Sequence, residues 1–349
     1  MFGMVNASLV LWYSVLGVVA TVGVWKGGEV LERSSDQLSM YYGLPAIIQG
    51  ALVAAVGSSF PELSSTVLST LLHGEFDLGV GAIVGSAIFN LLVIPGLSGL
   101  FGGGELESNR NLVYKEAQFY MLAVSALVII FALAVIYYPV PDSGAVSDRL
   151  VGTVTRPLAL IPVGLYALYV FIQYQDITDY EASEDFGDVT VARQWAYLIG
   201  SLALIVIAVE GLVQAALGFG EVFDTPSFLW GLTVIAAGTS LPDAVVSVRA
   251  AQSEKSVTSL ANVLGSNTFD LLVAVPVGVL IAGSATVDFA SIVPMMGFLT
   301  LATLILFTVL RTELALTTPE AYVLLGVYVL FIGWLVLETT GVLGFIPGA

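Results

Sequence analysis

Three carboxylates lie inside long apolar runs of this sequence, and they are the side chains best suited to do chemistry. Glu62 and Asp243 each follow a proline, and Asp270 lies in a further run. A charged group within a membrane span is costly and by default marks a functional position. No Lys or Arg lies near them inside these runs. The three carboxylates must therefore be neutralised by protons or by a bound cation.

The residues around these carboxylates occur twice in the chain. Residues 57–62 read Gly-Ser-Ser-Phe-Pro-Glu, and residues 238–243 read Gly-Thr-Ser-Leu-Pro-Asp. Further on, residues 85–90 read Gly-Ser-Ala-Ile-Phe-Asn, and residues 265–270 read Gly-Ser-Asn-Thr-Phe-Asp. Two matched pairs of polar motifs in apolar surroundings predict one shared site, built where the two copies of a repeat meet.

The elements that carry these motifs are predicted to be membrane spans. The chain has 349 residues, of which 57% are hydrophobic and 11% charged, with a mean hydropathy of +0.96. No soluble domain has this balance, so we predict an all-α polytopic membrane protein. The first apolar run lacks a preceding charged region and a cleavage site, which indicates a retained helix. Ten transmembrane helices are predicted, at residues 5–25, 42–72, 78–101, 117–138, 157–174, 195–217, 228–251, 258–283, 290–310 and 320–343.

The basic residues predict how these spans are oriented. Lys and Arg accumulate at the cytoplasmic ends of spans. With the N-terminus outside, the inner connections hold Lys26, Arg33, Arg110, Lys115, Arg193, Arg249, Lys255 and Arg311, and the outer ones hold only Arg149 and Arg156. We therefore predict a multi-pass protein of the cell membrane with both termini outside. The formal charge of −17 and the scarcity of Lys are typical of a halophile with a very salty cytoplasm.

Each half of the chain holds five of the predicted spans. Because five is odd, the second half enters the membrane from the opposite side, and the two halves are inverted repeats. A shift of 181 positions aligns residues 29–62 with residues 210–243 without a gap, and it matches Pro45 with Pro226. The predicted division is a first five-helix half at 1–175 with its repeat at about 43–98, an acidic cytoplasmic linker at 176–194, and a second half at 195–349 with its repeat at about 224–280.

The polar residues of spans two, three, seven and eight form one predicted cation site at the membrane midplane. Pro61 and Pro242 each remove a backbone donor and leave carbonyls around 55–58 and 236–239 in need of another partner. Carboxylate, amide, hydroxyl and carbonyl oxygens suit Ca²⁺, Na⁺, Mg²⁺ or Mn²⁺ rather than Zn²⁺ or Cu²⁺. Packing between helices is the alternative, and it explains the hydroxyls but not the carboxylates.

At these motifs the chain resembles the cation/calcium exchanger superfamily, and within it the Na⁺/Ca²⁺ exchangers with their two alpha-repeats. The resemblance implies ten helices in two inverted halves, with spans one and six sliding across the remainder. It implies Ca²⁺ coordination by Glu62 and Asp243, with Asn90 and Asp270 closing the centre of the site. The Na⁺ ligands that it implies are hydroxyls and carbonyls at Ala55, Ser58, Ser59, Ser86, Ala236, Thr239, Ser240 and Ser266.

The sequence departs from the family pattern in ways that leave the coupling ion open. Ser58 replaces the usual Thr, and Ala87 replaces the Asn of the first Gly-Ser-Asn motif. Asp270 as a carboxylate resembles the potassium-dependent branch as well as prokaryotic relatives. A Na⁺/Ca²⁺ antiporter is the leading hypothesis; a Ca²⁺/H⁺ or K⁺-dependent exchanger, a Ca²⁺-permeable channel and a non-transporting membrane scaffold are the alternatives.

The remaining features exclude functions more than they assign them. The chain has no Cys, which excludes thiolate metal sites, disulfides and thiol redox chemistry. We expect no enzyme activity, no prosthetic group, no nucleic acid and no obligate protein partner; inorganic cations and the lipid bilayer are the expected partners. The single His73 is predicted to be a solvated loop residue. Glu29 and Glu210 share the repeat offset, and each is either part of the ion path or a charge at a helix end.

Overall fold

The computed structural model describes residues 7–42, 55–102, 106–110, 112–140, 150–175, 190–253, 256–312, 314–340 and 342–344. Two predictions fall partly outside these residues. The acidic linker is described only from residue 190 onward, and the start of span two, with Pro45, lies in the segment 43–54. The side chains of Ala55 and Asn262 are also outside the description.

Helices dominate the described chain. In order they are α1 (Ala7–Tyr41), α2 (Ala55–Ser58), α3 (Phe60–His73), α4 (Phe76–Phe101), α5 (Ala117–Tyr137), α6 (Arg156–Gln175), α7 (Val191–Phe223), α8 (Ser227–Trp230), α9 (Ala236–Gln252), α10 (Ser256–Phe269), α11 (Val275–Ala282), α12 (Phe289–Arg311) and α13 (Thr318–Thr339). A π-helical turn at Leu112–Glu116 leads into α5. Two further π-helical turns, Gly231–Ile235 and Asp270–Ala274, connect α8 to α9 and α10 to α11 as continuous spans.

Within the described residues, nine helical segments are long and apolar enough to cross a membrane. They correspond to all the predicted spans except the second, of which the structure describes the part that holds α2 and α3. The predicted class, an all-α membrane protein of ten spans in two inverted halves, is therefore confirmed.

Two predicted spans were too short. Span one was expected at 5–25, but α1 continues through the predicted connection to Tyr41, and α7 likewise extends beyond both ends of 195–217. Glu29 explains the extension of α1, because it forms ion pairs of 3.0 Å with Lys26 and 2.8 Å with Arg33 along the helix. Pairs at these spacings stabilise a helix that leaves the apolar core of the bilayer.

α1 and α7 pack against each other in antiparallel orientation. A Cβ atom added at Gly23 would lie 2.9 Å from Cβ of Ala208, and one added at Gly27 would lie 2.5 Å from Cγ1 of Ile205. Under the shift of 181, Ala208 is equivalent to Gly27 and Ile205 to Val24. A two-fold rotation therefore nearly superposes one contact on the other, as an axis in the membrane plane requires.

Two short antiparallel β-ladders tie loops of the two halves together. β1 (Leu106–Glu107) pairs with β4 (Ala315–Leu316), and β2 (Val151–Thr155) pairs with β3 (Ser284–Asp288). Each crossing of the membrane changes side, and an even number of spans separates the two strands of each ladder. The pairing is therefore consistent with the predicted arrangement of spans four to nine.

α4 is the central helix of the bundle. Its most apolar stretch is completely buried, and it packs against α9, α12 and α13. Gly85 permits the closest approach, because a Cβ atom at this position would lie 2.3 Å from the carbonyl oxygen of Leu232. This tight packing brings Ser86 and Asn90, which follow on α4, against the second half of the chain.

Candidate cation-binding site

The proline motif of the first half breaks its span. α2 ends at Ser58 and α3 begins at Phe60, with Pro61 in the first turn, where its missing N–H costs nothing. Glu62 follows in the same turn and is 2% exposed. The N-terminus of a helix favours a negative charge, so the break supports a carboxylate at this depth.

The proline motif of the second half lies in an unbroken helix. Pro242 is inside α9, and Asp243 follows it with a partly exposed side chain. The hydroxyl of Thr239 donates to the carbonyls of Ile235 at 3.1 Å and Ala236 at 3.3 Å. Part of the predicted set of free carbonyls is thus satisfied by a side chain of the same helix.

Serines from the two halves meet across the centre. Ser59 Oγ donates to the carbonyl oxygen of Ser266 at 3.4 Å, and Ser86 Oγ lies 2.7 Å from Ser240 Oγ. Ser59 is the repeat equivalent of Ser240, and Ser86 is the equivalent of Ser266. The same pair of positions therefore meets twice, once in each direction, so these four predicted residues occupy a common, symmetric centre.

Amide side chains cross the centre in one direction only. Asn90 Nδ2 donates to Asn267 Oδ1 at 2.9 Å, and Asn267 Nδ2 donates to the carbonyl oxygen of Ala87 at 3.3 Å. Asn267 was not among the predicted site residues. The signal for it was present, since it fills the position at which the first repeat has Ala87.

Three buried oxygen atoms at this centre have no hydrogen-bond partner among the described residues. They belong to Glu62 (Oε2), Asn90 (Oδ1) and Asp270 (Oδ1). The other oxygen of Glu62 accepts a long bond of 3.4 Å from Ser86 Oγ. Burial of an oxygen acceptor without a partner costs about 1–3 kcal/mol, and more for a charged group. The arrangement is therefore complete only with a proton or a cation.

The carboxylates of Glu62, Asp243 and Asp270 lie close enough for their charges to act on one another. None of the three forms an ion pair with another described residue. In the part of the chain that the structure describes, however, no three carboxylate or imidazole groups converge tightly enough to hold a metal ion alone. Hydroxyl and carbonyl oxygens have to complete any coordination shell.

A cavity of about 100 Å³ leads to one side of this centre. Its lining comes from α1, α2, α3 and α9, and it includes Ser58 and Asp243 together with Glu32 and Asp36. Of the other predicted residues, Ala236 is buried against Gly85, and Ala55 belongs to α2. The structure thus brings Asp243 to the inner end of an acidic opening, whereas Glu62 and Asp270 are fully enclosed.

The equivalent position on the other side is closed. Gly57 lines the cavity, and a Cβ atom added to it would meet none of the described residues within 4 Å. Its repeat equivalent, Gly238, is covered: an added Cβ atom would lie 2.7 Å from Leu212 Cδ2 and 3.0 Å from Thr21 Oγ1. One sequence motif therefore faces open space in the first half and packed side chains in the second.

His73 and Glu210 correct the expectation of a solvated loop histidine. His73 is the last residue of α3 rather than a loop residue, and its Nε2 lies 2.9 Å from Glu210 Oε1 of α7. Gln214 donates to the same oxygen at 2.9 Å. Glu29, in contrast, lies well inside α1, where it pairs with Lys26 and Arg33 and lines the cavity.

A polytopic protein with inverted repeats and oxygen ligands enclosed at the repeat interface has the architecture of a secondary cation transporter. The family model for the sodium/calcium exchanger protein matches residues 12–175 and 193–337. The chain belongs to this family, which is one of transporters rather than enzymes, and the resemblance noted at its motifs is confirmed.

Relatives and solved structures resemble the chain in sequence or in fold. An uncharacterized membrane protein of Methanocaldococcus jannaschii is 27% identical over 272 residues, which cover 76% of this chain and 80% of the relative. The crystal structure of an H⁺/Ca²⁺ exchanger, CAX, matches 93% of this chain and 82% of its own with a TM-score of 0.71 at 15% identity. A structure of the sodium-calcium exchanger NCX_Mj matches 93% of this chain and 98% of its own with a TM-score of 0.59 at 20% identity. These two likenesses concern the fold.

Proposed function

We propose that this protein is a secondary antiporter that exchanges Na⁺ for Ca²⁺ by alternating access. In this proposal the transported ions occupy the midplane centre between spans two, three, seven and eight. Glu62 and Asp243 bind Ca²⁺, and the hydroxyls and carbonyls around them bind Na⁺ in its place. Asn90 and Asp270 close the centre between the two halves.

The observation that carries the proposal is the set of enclosed oxygen atoms without partners. Glu62, Asn90 and Asp270 each present one such atom, and the chain offers no basic side chain to neutralise them among the described residues. Ca²⁺ takes six to eight oxygen ligands, including carboxylates, amides, carbonyls and water. An ion of this kind would satisfy at once the atoms whose burial is otherwise unfavourable.

The site also provides a reason for exchange rather than channel conduction. Two or three carboxylates attract a divalent ion, while the paired serines around Ser86 and Ser240 offer neutral oxygens suited to Na⁺. Both kinds of ion need the same central carboxylates, so each excludes the other. Competition for shared ligands in a centre with one opening couples the two fluxes, since neither ion crosses unless the other returns.

A proton-coupled Ca²⁺ exchanger is the second candidate. Asp270 favours it, because this carboxylate is 1% exposed and its Oδ1 has no partner among the described residues. A protonated carboxyl group tolerates such a position far better than a charged one. A K⁺-dependent form of Na⁺/Ca²⁺ exchange remains a further alternative because of the same residue.

Ca²⁺ uptake into proteoliposomes distinguishes these candidates. Vesicles of purified protein would be loaded with Na⁺, K⁺ or buffer of set pH and diluted into medium with radioactive Ca²⁺. Uptake driven by an outward Na⁺ gradient, unaffected by K⁺ and by a pH gradient, is the expected result. Uptake in Na⁺-free medium driven only by a pH gradient would select the proton-coupled candidate. Absence of Ca²⁺ flux and of Ca²⁺ binding under every gradient would reject both.

We further propose that the protein lies in the cell membrane with both termini outside and acts without an obligate protein partner. The distribution of basic residues supports this orientation. The chain has no Cys, so single cysteines report their side cleanly. Thr286 of β3 and Glu107 of β1 are both exposed but belong to opposite sides in the proposal. An impermeant maleimide added to intact cells should label T286C and leave E107C unlabelled; the reverse pattern would invert the topology.

A further inference from the structure

The central amides of the two halves do not match. Asn267 of the second half reaches across to the first, where it donates to the carbonyl oxygen of Ala87 and accepts from Asn90. The two-fold equivalent of the Asn90–Asn267 contact would join an amide at position 87 to Asp270, which is the equivalent of Asn90. Ala87 has no such group. Asp270 is consequently left without the amide partner that its symmetric position has.

A buried tyrosine lies beside this network of amides. Tyr120 of α5 is 0% exposed, and its hydroxyl makes no hydrogen bond of good geometry with a described residue. Its side chain lies beside Asn267, and the charge of Asp270 is near enough to act on it. Buried hydroxyl groups are nearly always hydrogen-bonded, so an enclosed phenol whose hydroxyl reaches an amide of the site calls for a functional explanation.

The backbone at Asp270 supports the same explanation independently. A π-helical turn begins at Asp270 and runs to Ala274, whereas α4 passes its equivalent, Asn90, as an uninterrupted α-helix. Such turns re-aim the side chains of a helix and are frequent at functional sites. The backbone of the second half at Asp270 therefore differs from that of the first half at Asn90.

We propose that Tyr120 is a positioning residue for cation exchange. Its hydroxyl holds the side chain of Asn267, and through it that of Asn90, in the orientation that the ion requires. It is also the donor for Asp270 in the part of the cycle in which no cation neutralises this carboxylate. The phenol thus replaces the amide that Ala87 does not supply. This inference rests on the proposed function, because it assigns Tyr120 a role at the same cation site.

The test compares Y120F with Y328F. Phenylalanine keeps the ring and its packing at both positions and removes only the hydroxyl. Tyr328 of α13 serves as the control. Its ring packs against Phe89 of α4 and Phe331 of α13, and it is not one of the residues assigned to the site. In Y120F the Ca²⁺ concentration for half-maximal uptake should rise about tenfold, the effect of one lost hydrogen bond to a charged or site-forming group. The maximal rate and the Y328F variant should stay within about twofold of the unsubstituted protein.

A rescue variant separates positioning from a general loss of stability. A87N restores an amide where the second repeat has Asn267, so A87N combined with Y120F should recover most of the lost Ca²⁺ affinity. Ca²⁺-dependent protection against thermal unfolding in detergent gives a second reading that does not require transport. Y120F with unchanged Ca²⁺ affinity in both assays would overturn the inference, as would a defect that A87N leaves intact. An unsubstituted protein that neither binds nor carries Ca²⁺ would instead reject the proposed function.

Discussion

The two halves share their sequence motifs, yet they differ where the centre meets the outside. At the centre the serines form two pairs that are equivalent under the two-fold axis, Ser59 with Ser266 and Ser86 with Ser240. Away from the centre, Gly57 faces a cavity, whereas its equivalent Gly238 is covered by Leu212. The serine pairs of the centre therefore keep the symmetry of the repeats, whereas the approaches to the centre from the two sides do not. This is the pattern that alternating access requires, since one opening must be closed while the other is open.

The same comparison identifies which side is open. The cavity is lined by Glu32 and Asp36, which lie on the part of α1 assigned to the inner side by the basic residues. In the proposed cycle, this structure corresponds to the state open toward the cytoplasm. In the opposite state, Leu31 is expected to cover Gly57, because Leu31 is the repeat equivalent of Leu212.

The largest expected effect tests the symmetric part of the comparison. E62Q and D243N each remove one charged ligand but keep its size. Loss of one buried charged partner is worth roughly 3 kcal/mol, so Na⁺-dependent Ca²⁺ uptake should fall by about a hundredfold or more in either variant. The control E107Q changes an exposed carboxylate of β1 and should transport normally. Normal flux in both E62Q and D243N would reject the site assignment.

A second prediction uses chemical labelling to test the difference in accessibility between equivalent positions of the two halves. Val246 lines the cavity and is 41% exposed, whereas its repeat equivalent Ser65 is 0% exposed. In the conformation described here, V246C should react with a small hydrophilic thiol reagent about tenfold faster than S65C, because reaction requires access of water and reagent to the thiolate. The measurement is made on inside-out vesicles. Equal rates would mean that the two sides are not distinguished by opening.

The smallest effect concerns the two glycines. In G238A the new methyl group would lie 2.7 Å from Leu212, whereas in G57A it would meet open space. Overpacking costs about 1–3 kcal/mol, and the flexible end of the leucine places the expected loss near the lower limit. Thermal unfolding in detergent should show a lower midpoint for G238A than for G57A. The double variant G238A/L212A should regain the loss that comes from this contact; a G57A protein as unstable as G238A would contradict the asymmetry.

Much of the fold could be predicted from sequence because two strong signals agree. Apolar runs predict spans through the cost of unsatisfied backbone in lipid, and the duplication around Glu62 and Asp243 predicts inverted halves. The ends of α1 and α7 could not be predicted, because both helices continue into polar residues. In α1 the continuation depends on ion pairs and close packing rather than on hydrophobicity. The prediction for His73 was wrong for a different reason, because its partner Glu210 is distant in sequence.

The site shows a sharper limit of local reasoning. The two proline motifs are almost the same in sequence, yet Pro61 follows a helix break and Pro242 lies within a continuous helix. The same proline motif is thus accommodated in two different backbones, a difference that the local sequence does not indicate. Tyr120 was invisible for a related reason: nothing in its own segment indicates that it lies beside Asn267. The assignment of the twelve predicted ligand positions remains a prediction until ions are bound.

The contact between α1 and α7 has an energetic consequence for the proposed exchange. Because the α1–α7 interface is nearly two-fold symmetric, the contacts between the two helices are nearly the same in either orientation of the pair. This contact therefore contributes nearly equally to the free energies of the two orientations. In the proposed exchange, the bound ions and the contacts of the pair with the remaining helices, rather than the α1–α7 contact, would decide which orientation is populated.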